Sequence, residues 1–165
     1  MMSAVESLGD GGGRRTVVYT DGACRGNPGP GGWGWVVPDG PWAAGAAPET
    51  TNNRMELQAV LEALAALEGG DPLEVVTDSA YIVNCFEQGW WEGWQRRNWR
   101  TADRKPVKNQ DLWAPLIGLA LARGVTFRWV KGHAGDPWND VADLLATQAA
   151  DTQRGARGDA YRSDR

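Results

Sequence analysis

The chain opens its patterned region with RTVVYTD at residues 15–21, a run rich in β-branched and aromatic side chains that predicts a strand. RGNPGPGG at 25–32 is a glycine–proline turn region. WGWVV at 33–37 predicts a second strand, PDGP a tight turn, and WAAGAA a third, weaker strand. Connections this short predict an antiparallel meander. In TTNNRMELQAVLEALAAL the apolar period lengthens to that of a helix, with Asn52 or Asn53 as N-cap and Gly69-Gly70 closing it. LEVVTD at 73–78 predicts a fourth strand, and SAYIVNCF a helix that ends by Gly89. KNQDLWAPLIGLALARG at 108–124 is helical in pattern, with Pro115 arguing against one unbroken run. VTFRWV at 125–130 predicts a fifth strand, and Pro137 suits the first turn of a last helix through WNDVADLLATQAA. Three antiparallel strands followed by two helix–strand crossovers predict an α/β chain, a mixed sheet with helices on its faces.

Length and composition bound this picture without changing it. A chain of 165 residues with 42% apolar content fits one domain with a proper core. Residues 1–13 and 152–165 are small, polar and glycine- or charge-rich, which predicts two disordered tails around a domain of about 14–151. The only cysteines are Cys24 and Cys85, with no CxxC, so a disulfide framework or zinc site is not expected. Both are expected reduced, in the cytoplasm. The first residues hold no signal-peptide core, and no run approaches the roughly 18 apolar residues that a membrane span needs.

Charge does change the picture. The formal net charge of −4 by itself argues against a phosphate-rich partner. Between 92 and 108, however, Arg96, Arg97, Arg100, Arg104, Lys105 and Lys108 face only Glu92 and Asp103, a local charge of +4 that leaves −8 elsewhere. Trp90, Trp91, Trp94 and Trp99 interleave with this basic segment. Such interleaving suits phosphate contacts with sugar or base packing, and it also suits a solvated helix whose tryptophans pack inward.

Five residues stand out as candidate chemistry. Asp21 and Asp78 each close an apolar strand, a position where Asp is also an ordinary turn residue. If the two strands are parallel neighbours, both carboxylates lie at the carboxyl edge of the sheet, where open α/β sheets place their sites. Helical steps from Glu56 reach Val60, Ala63 and Leu67, so its carboxylate shares an apolar face, and it also stands at the spacing to complete a capping box with Asn53, the two readings not being exclusive. Asp143, between Asn139 and Thr147 at helical spacing, has Ala142 and Ala146 beside it, small enough to let the helix approach the sheet. His133, the single histidine, lies in VKGHAGDP between a strand and a helix, where it reads either as an incidental loop residue or as a group for transient proton transfer. Carboxylates gathered without arginine repel one another, a conflict that magnesium or manganese would resolve. Such a cluster suits two metals and phosphodiester cleavage, whereas glycoside hydrolysis needs only two acids.

YTDGACRGNPGPGGWG, TTNNRMEL, TDSAY, WRTADRKPVKNQDLW and WVKGHAGDPWNDVAD, in this order over about 15–150, closely resemble bacterial type 1 ribonuclease H. The resemblance implies a ribonuclease H-like fold, a five-stranded mixed sheet of order 3-2-1-4-5 with helices on both faces. It implies endonucleolytic hydrolysis of the RNA strand of RNA–DNA hybrids, leaving 5′-phosphate and 3′-hydroxyl ends. Asp21 would bridge two magnesium ions, with manganese a possible substitute. Glu56 and Asp78 would complete one coordination sphere and Asp143 the other, and His133 would assist proton transfer or product departure. Cys24, Asn27, Thr51, Asn52 and Asn53 would line the hybrid groove, with Lys131 at the margin of the site. The basic segment at about 90–108 corresponds to a protruding handle that contacts the DNA strand through Arg96, Arg97, Arg100, Arg104, Lys105 and Lys108. Ala80 stands where familiar members carry a glutamine that touches the hybrid, so one substrate contact should be missing. The handle's bias to arginine keeps the charge but changes its geometry. The expected acting form is a monomer. Two other readings fit the same sheet: a hybrid- or duplex-RNA-binding protein without turnover, and a related nuclease or resolvase acting on DNA.

Overall fold

A computed structural model of the chain describes residues 15–69 and 71–162. The expected N-terminal tail at 1–13 lies outside the described residues. Three strands form the predicted meander: β1 (Thr16–Cys24), β2 (Gly29–Val36) and β3 (Trp42–Thr50). Helix α1 (Asn52–Ala66) follows, then β4 (Leu73–Thr77), α2 (Ala80–Glu87), α3 (Trp90–Arg96) and α4 (Gln110–Arg123). The chain finishes with β5 (Thr126–Trp129), α5 (Pro137–Thr152) and β6 (Ala156–Gly158). The sheet order is β5-β4-β1-β2-β3-β6, so the expected order 3-2-1-4-5 is present with a sixth strand added beside β3.

β1 pairs parallel with β4 and antiparallel with β2, which makes it the central strand where the two halves of the sheet meet. Alternate side chains leave a strand on opposite faces, and this divides the core in two. Val18, Trp35 and Val75 point to a layer built by α1, α2 and α4 around the fully buried Trp113. Tyr19, Val36 and Val76 point to the other face, covered by α5 through Ala142, Leu145 and Ala149. The small residues on α5 do let it close on the sheet. A Cβ at Gly34 would sit 2.7 Å from the Leu145 Cβ, so β2 and α5 approach each other over bare backbone.

Several boundaries move from their expected places, each for a local reason. β1 does not end at Asp21, because the ladder to β2 continues through Cys24 opposite Gly31. The N-cap of α1 is Thr51, whose Oγ1 accepts from the Arg54 N–H at 3.2 Å, so neither Asn52 nor Asn53 caps it. The helix stops at Ala66, where the Leu67 N–H bonds the Ala63 carbonyl, ahead of Gly69. Pro115 lies within α4 without breaking it. It sits on the exposed side, as does Asp111, whose carbonyl loses its helical partner.

The C-terminal stretch is the clearest correction. Residues 152–165 were expected to be disordered, yet Ala156–Gly158 pairs with Trp42–Ala44 of β3. Gln153 reverses the chain in the left-handed region at φ 56°, and its side-chain amide donates to the Gly31 carbonyl. The Tyr161 ring then meets Trp42 and Trp138 edge-on at 5.8 and 6.2 Å, and its N–H bonds the Gly40 carbonyl. Backbone pairing at an open sheet edge, closed by one aromatic side chain, orders a segment whose composition is polar.

Candidate active site

The parallel ladder sets two carboxylates side by side. Thr20 of β1 pairs with Thr77 at the end of β4, so Asp21 on β1 and Asp78 just past β4 both come one residue further on. Glu56 comes from α1, which passes over β1 with no intervening side chain: a Cβ at Gly22 would lie 2.4 Å from the Glu56 backbone nitrogen. Gly22 therefore lets the β1 backbone and α1 come into direct contact. The outcome is that Asp21, Glu56 and Asp78 each offer an oxygen within 4.8 Å of the others.

Burial makes this cluster electrostatically costly. Asp21 is 3% exposed and Glu56 6% exposed, while Asp78 is half-buried. Burial, followed by the charge of Asp78, raises the Asp21 carboxyl from its ordinary value to about 8. Burial and then Asp21 push Glu56 well above the usual carboxylate range. Asp78 is raised by burial and the charge of Asp143, with Asp21, His133 and Asn139 opposing that shift. A single backbone donor, the Gly22 N–H at 2.9 Å, reaches Asp21 Oδ1, and Glu56 Oε1 has no hydrogen-bond partner. Glu56 thus takes no part in a capping box; it stands on the inward face with the buried Val60 and Ala63. Among the described residues none of the three acids pairs with a lysine or arginine. An all-oxygen donor set with an orphaned buried oxygen fits a hard divalent cation.

Asp143 stands outside the close triad, half-buried on α5, near enough for its charge to act on Asp21 and Asp78. It shares an open groove of about 520 Å³ with His133, Asp140 and Thr147. His133 is exposed in the β5–α5 loop, in the left-handed region at φ 57°, and Lys131 is exposed two residues before it. A larger cavity of about 920 Å³ between β3, β6 and α1 includes none of the expected site residues.

The groove candidates gather beside this edge, with their polar groups partly committed. The Cys24 thiol is within sulfur hydrogen-bond reach of the Thr50 and Gly29 carbonyls at 3.4 and 3.5 Å. Asn27 Oδ1 accepts from the Asn52 N–H at 2.9 Å, which fastens the β1–β2 turn to the start of α1. Thr51 Oγ1 is occupied as the cap, whereas Asn27, Asn52 and Asn53 are all exposed. Arg54 does not stand out in the sequence, yet it grips Asp111 with two hydrogen bonds of 2.9 and 2.6 Å, and joins α1 to α4. Its signal is only the charge pairing of two distant helix starts, which spacing does not reveal.

In the basic segment the two kinds of side chain separate. Trp90, Trp91, Trp94 and Trp99 pack against the main core, with Trp94 edge-on to Trp113 at a 5.4 Å centroid separation. The inward-packing reading therefore holds for the tryptophans. Arg96, Arg97, Arg100, Arg104, Lys105 and Lys108 are all exposed, and no ion pair among the described residues neutralises them.

A mixed sheet with carboxylates converging at the end of its central parallel pair makes an acidic site whose donors suit a hard divalent cation. The comparisons with known proteins name the family. The family model described as RNase H matches residues 13–151, and the chain belongs to this family of endoribonucleases. It is 50% identical over 140 residues to the Ribonuclease H of Syntrophomonas wolfei subsp. wolfei, a match that covers 82% of this chain and 96% of that protein. It is similar to the structure of LC9-RNase H1, described as a type 1 RNase H with the type 2 active-site motif, at 34% identity and a TM-score of 0.76. That match covers 88% of this chain and 77% of the other. LC11-RNase H1, solved in complex with an RNA/DNA hybrid, matches at 26% identity with a TM-score of 0.63, over 82% of this chain and 96% of its own.

Proposed function

We propose that the chain hydrolyses the RNA strand of RNA–DNA hybrids endonucleolytically by a two-metal mechanism, leaving 5′-phosphate and 3′-hydroxyl ends. The carrying observation is the convergence of Asp21, Glu56 and Asp78 within 4.8 Å without a cationic partner, in a chain of the RNase H family. Asp21, the most central of the acids, would hold both ions, with Glu56 and Asp78 on one and Asp143 on the other. Magnesium, or manganese in its place, supplies Lewis-acid stabilisation of the phosphoryl oxygens and a more acidic water when bound.

The chain's own residues do the positioning. Burial of Asp21 and Glu56 holds them in place and excludes bulk water from their inner oxygens. His133, exposed on its loop and facing the Asp143 groove, assists proton transfer at the leaving oxygen or departure of product. The exposed amides of Asn27, Asn52 and Asn53 suit hydrogen bonds to minor-groove edges and to the 2′-hydroxyls that mark RNA, while Cys24 and Thr51 line the same surface. Arg96, Arg97, Arg100, Arg104, Lys105 and Lys108 contact phosphates of the DNA strand, and Lys131 flanks the site. Ala80, exposed at the start of α2, offers no polar group there. Both cysteines are free, which supports a reducing cytoplasmic setting, and we take the acting form to be a monomer.

The test is cleavage of matched RNA–DNA, RNA–RNA and DNA–DNA duplexes with magnesium, with manganese and with chelator, reading product ends. The expected result is metal-dependent cutting of the RNA strand of the hybrid alone. Cutting of DNA duplex, or hybrid binding with no cutting in either metal, would replace this reading with one of its two rivals.

A further inference from the structure

Asp78 lies just past the end of β4, outside the regular ladder, so something other than the sheet must fix its carboxylate. The neighbouring β5–α5 loop, residues 130–136, is registered against the same segment at successive points. The Val130 N–H donates to the Thr77 carbonyl at 3.0 Å, and the Trp129 indole N–H donates to the Asp78 carbonyl at 3.1 Å. Gly132 comes next, with its α-carbon directly over the Asp78 side chain. A Cβ built there would lie 2.7 Å from Oδ2, 3.4 Å from Cγ and 3.5 Å from Cβ of Asp78. Beyond it the loop is held again, because Asp136 Oδ1 accepts from the Trp138 and Asn139 N–H groups.

We propose that Gly132 is a positioning residue for Asp78: its bare α-carbon lets the loop that carries His133 seat on the carboxylate and set the orientation in which Asp78 binds a cation. The inference rests on the metal-dependent reading given above. A side chain at position 132 must displace either the loop or the carboxylate. The loop is held by the Trp129 and Val130 hydrogen bonds before Gly132 and by the Asp136 cap of α5 after it, and His133 beside it lies in the left-handed region. The Asp78 carboxylate turns about a soft terminal torsion, so it gives way. Asn139 of α5, 1% exposed and with Oδ1 lacking any partner, is also near enough to act on the Asp78 carboxylate. Residues that orient a metal ligand commonly alter affinity about 10–100-fold when changed.

Mn2+ binding to the full chain, read by electron paramagnetic resonance of the free ion, tests this apart from turnover. Gly132→Ala should bind Mn2+ about tenfold more weakly, lower kcat, and leave KM for hybrid and the far-ultraviolet circular dichroism of the metal-free protein unchanged. Gly118→Ala, at an exposed α4 position with open space for a Cβ, should bind Mn2+ as the wild type does. If Gly132→Ala fails to fold, Trp129→Phe decides, since it removes the indole N–H to the Asp78 carbonyl together with part of an exposed ring. Weakened Mn2+ binding supports the proposal, and wild-type affinity overturns it. Wild-type affinity in a folded Gly132→Ala overturns the proposal while leaving the functional reading intact. Mn2+ binding that is equal in wild type and Asp21→Asn would overturn both.

Discussion

The carboxylate end of the sheet and the basic handle are both dense in charge, and the fold treats them in opposite ways. At the sheet edge three acids are drawn together, two of them almost fully buried, with one oxygen left unpartnered. In the handle six cations stand in solvent, and the apolar side chains between them turn inward. Solvent screens the second arrangement at little free-energy cost, whereas the first is opposed by desolvation and repulsion. The fold accepts strain where a small, highly charged ligand is expected and spreads charge where an extended polyanion is expected.

This contrast can be broken first at its strained end. Asp21→Asn should reduce hybrid cleavage below about one-hundredth of wild type, the scale of losing one electrostatic stabiliser, with little change in hybrid affinity by filter binding. Retained turnover would remove Asp21 from the centre of the site. The same substitution should act oppositely on metal-free stability. Because the Asp21 carboxyl is raised to about 8, the folded state binds more protons than the unfolded state between the ordinary carboxylate range and about pH 8. Metal-free stability therefore falls as pH rises through that window. At pH 8 and above in chelator, Asp21→Asn should unfold later by at least about 2–4 °C, the shift per kcal/mol for a chain of this size.

The handle should answer in a different currency. Trp94→Ala is expected to destabilise the fold by about 1.5–3 kcal/mol in urea titration, since its ring packs beside Trp113. Neutralising Arg96 and Arg97 should leave stability unchanged and reduce the slope of log affinity against log salt by about one for each phosphate they no longer neutralise. An unchanged slope would detach those arginines from the substrate. The smallest expected effect is at the far edge, where Tyr161→Ala should lose about 0.5–1.5 kcal/mol with no change in kcat.

Much of this was legible in the sequence because it depends on period and order. The meander and the crossovers follow from strand runs and connection lengths, Asp21 and Asp78 meet at one edge once their strands are parallel neighbours, and the apolar face that Glu56 shares follows from helical spacing. What the sequence hid was set by tertiary contact. Thr51 rather than Asn52 or Asn53 caps α1, and Asn27 reaches across from another turn to hold the Asn52 N–H. Gly132 looks like any loop glycine until the loop is seen resting on Asp78. The terminal strand carries no hydrophobic run at all; Ala156–Gly158 is ordered by the open edge of β3 and by one tyrosine. The interleaved tryptophans and arginines allow two readings, and the inward-packing one holds for the tryptophans while the arginines stay in solvent.

The central claim is that the buried acids are held against their own repulsion for divalent cations that enable hybrid cleavage. It is tested most directly by returning Mg2+ to chelator-treated protein at pH 8 while following hybrid cleavage and unfolding temperature together. The expected result is a joint rise of both over the same Mg2+ range, absent in Asp21→Asn. Cleavage that persists in chelator, or that returns without any Mg2+-dependent stabilisation, would contradict it.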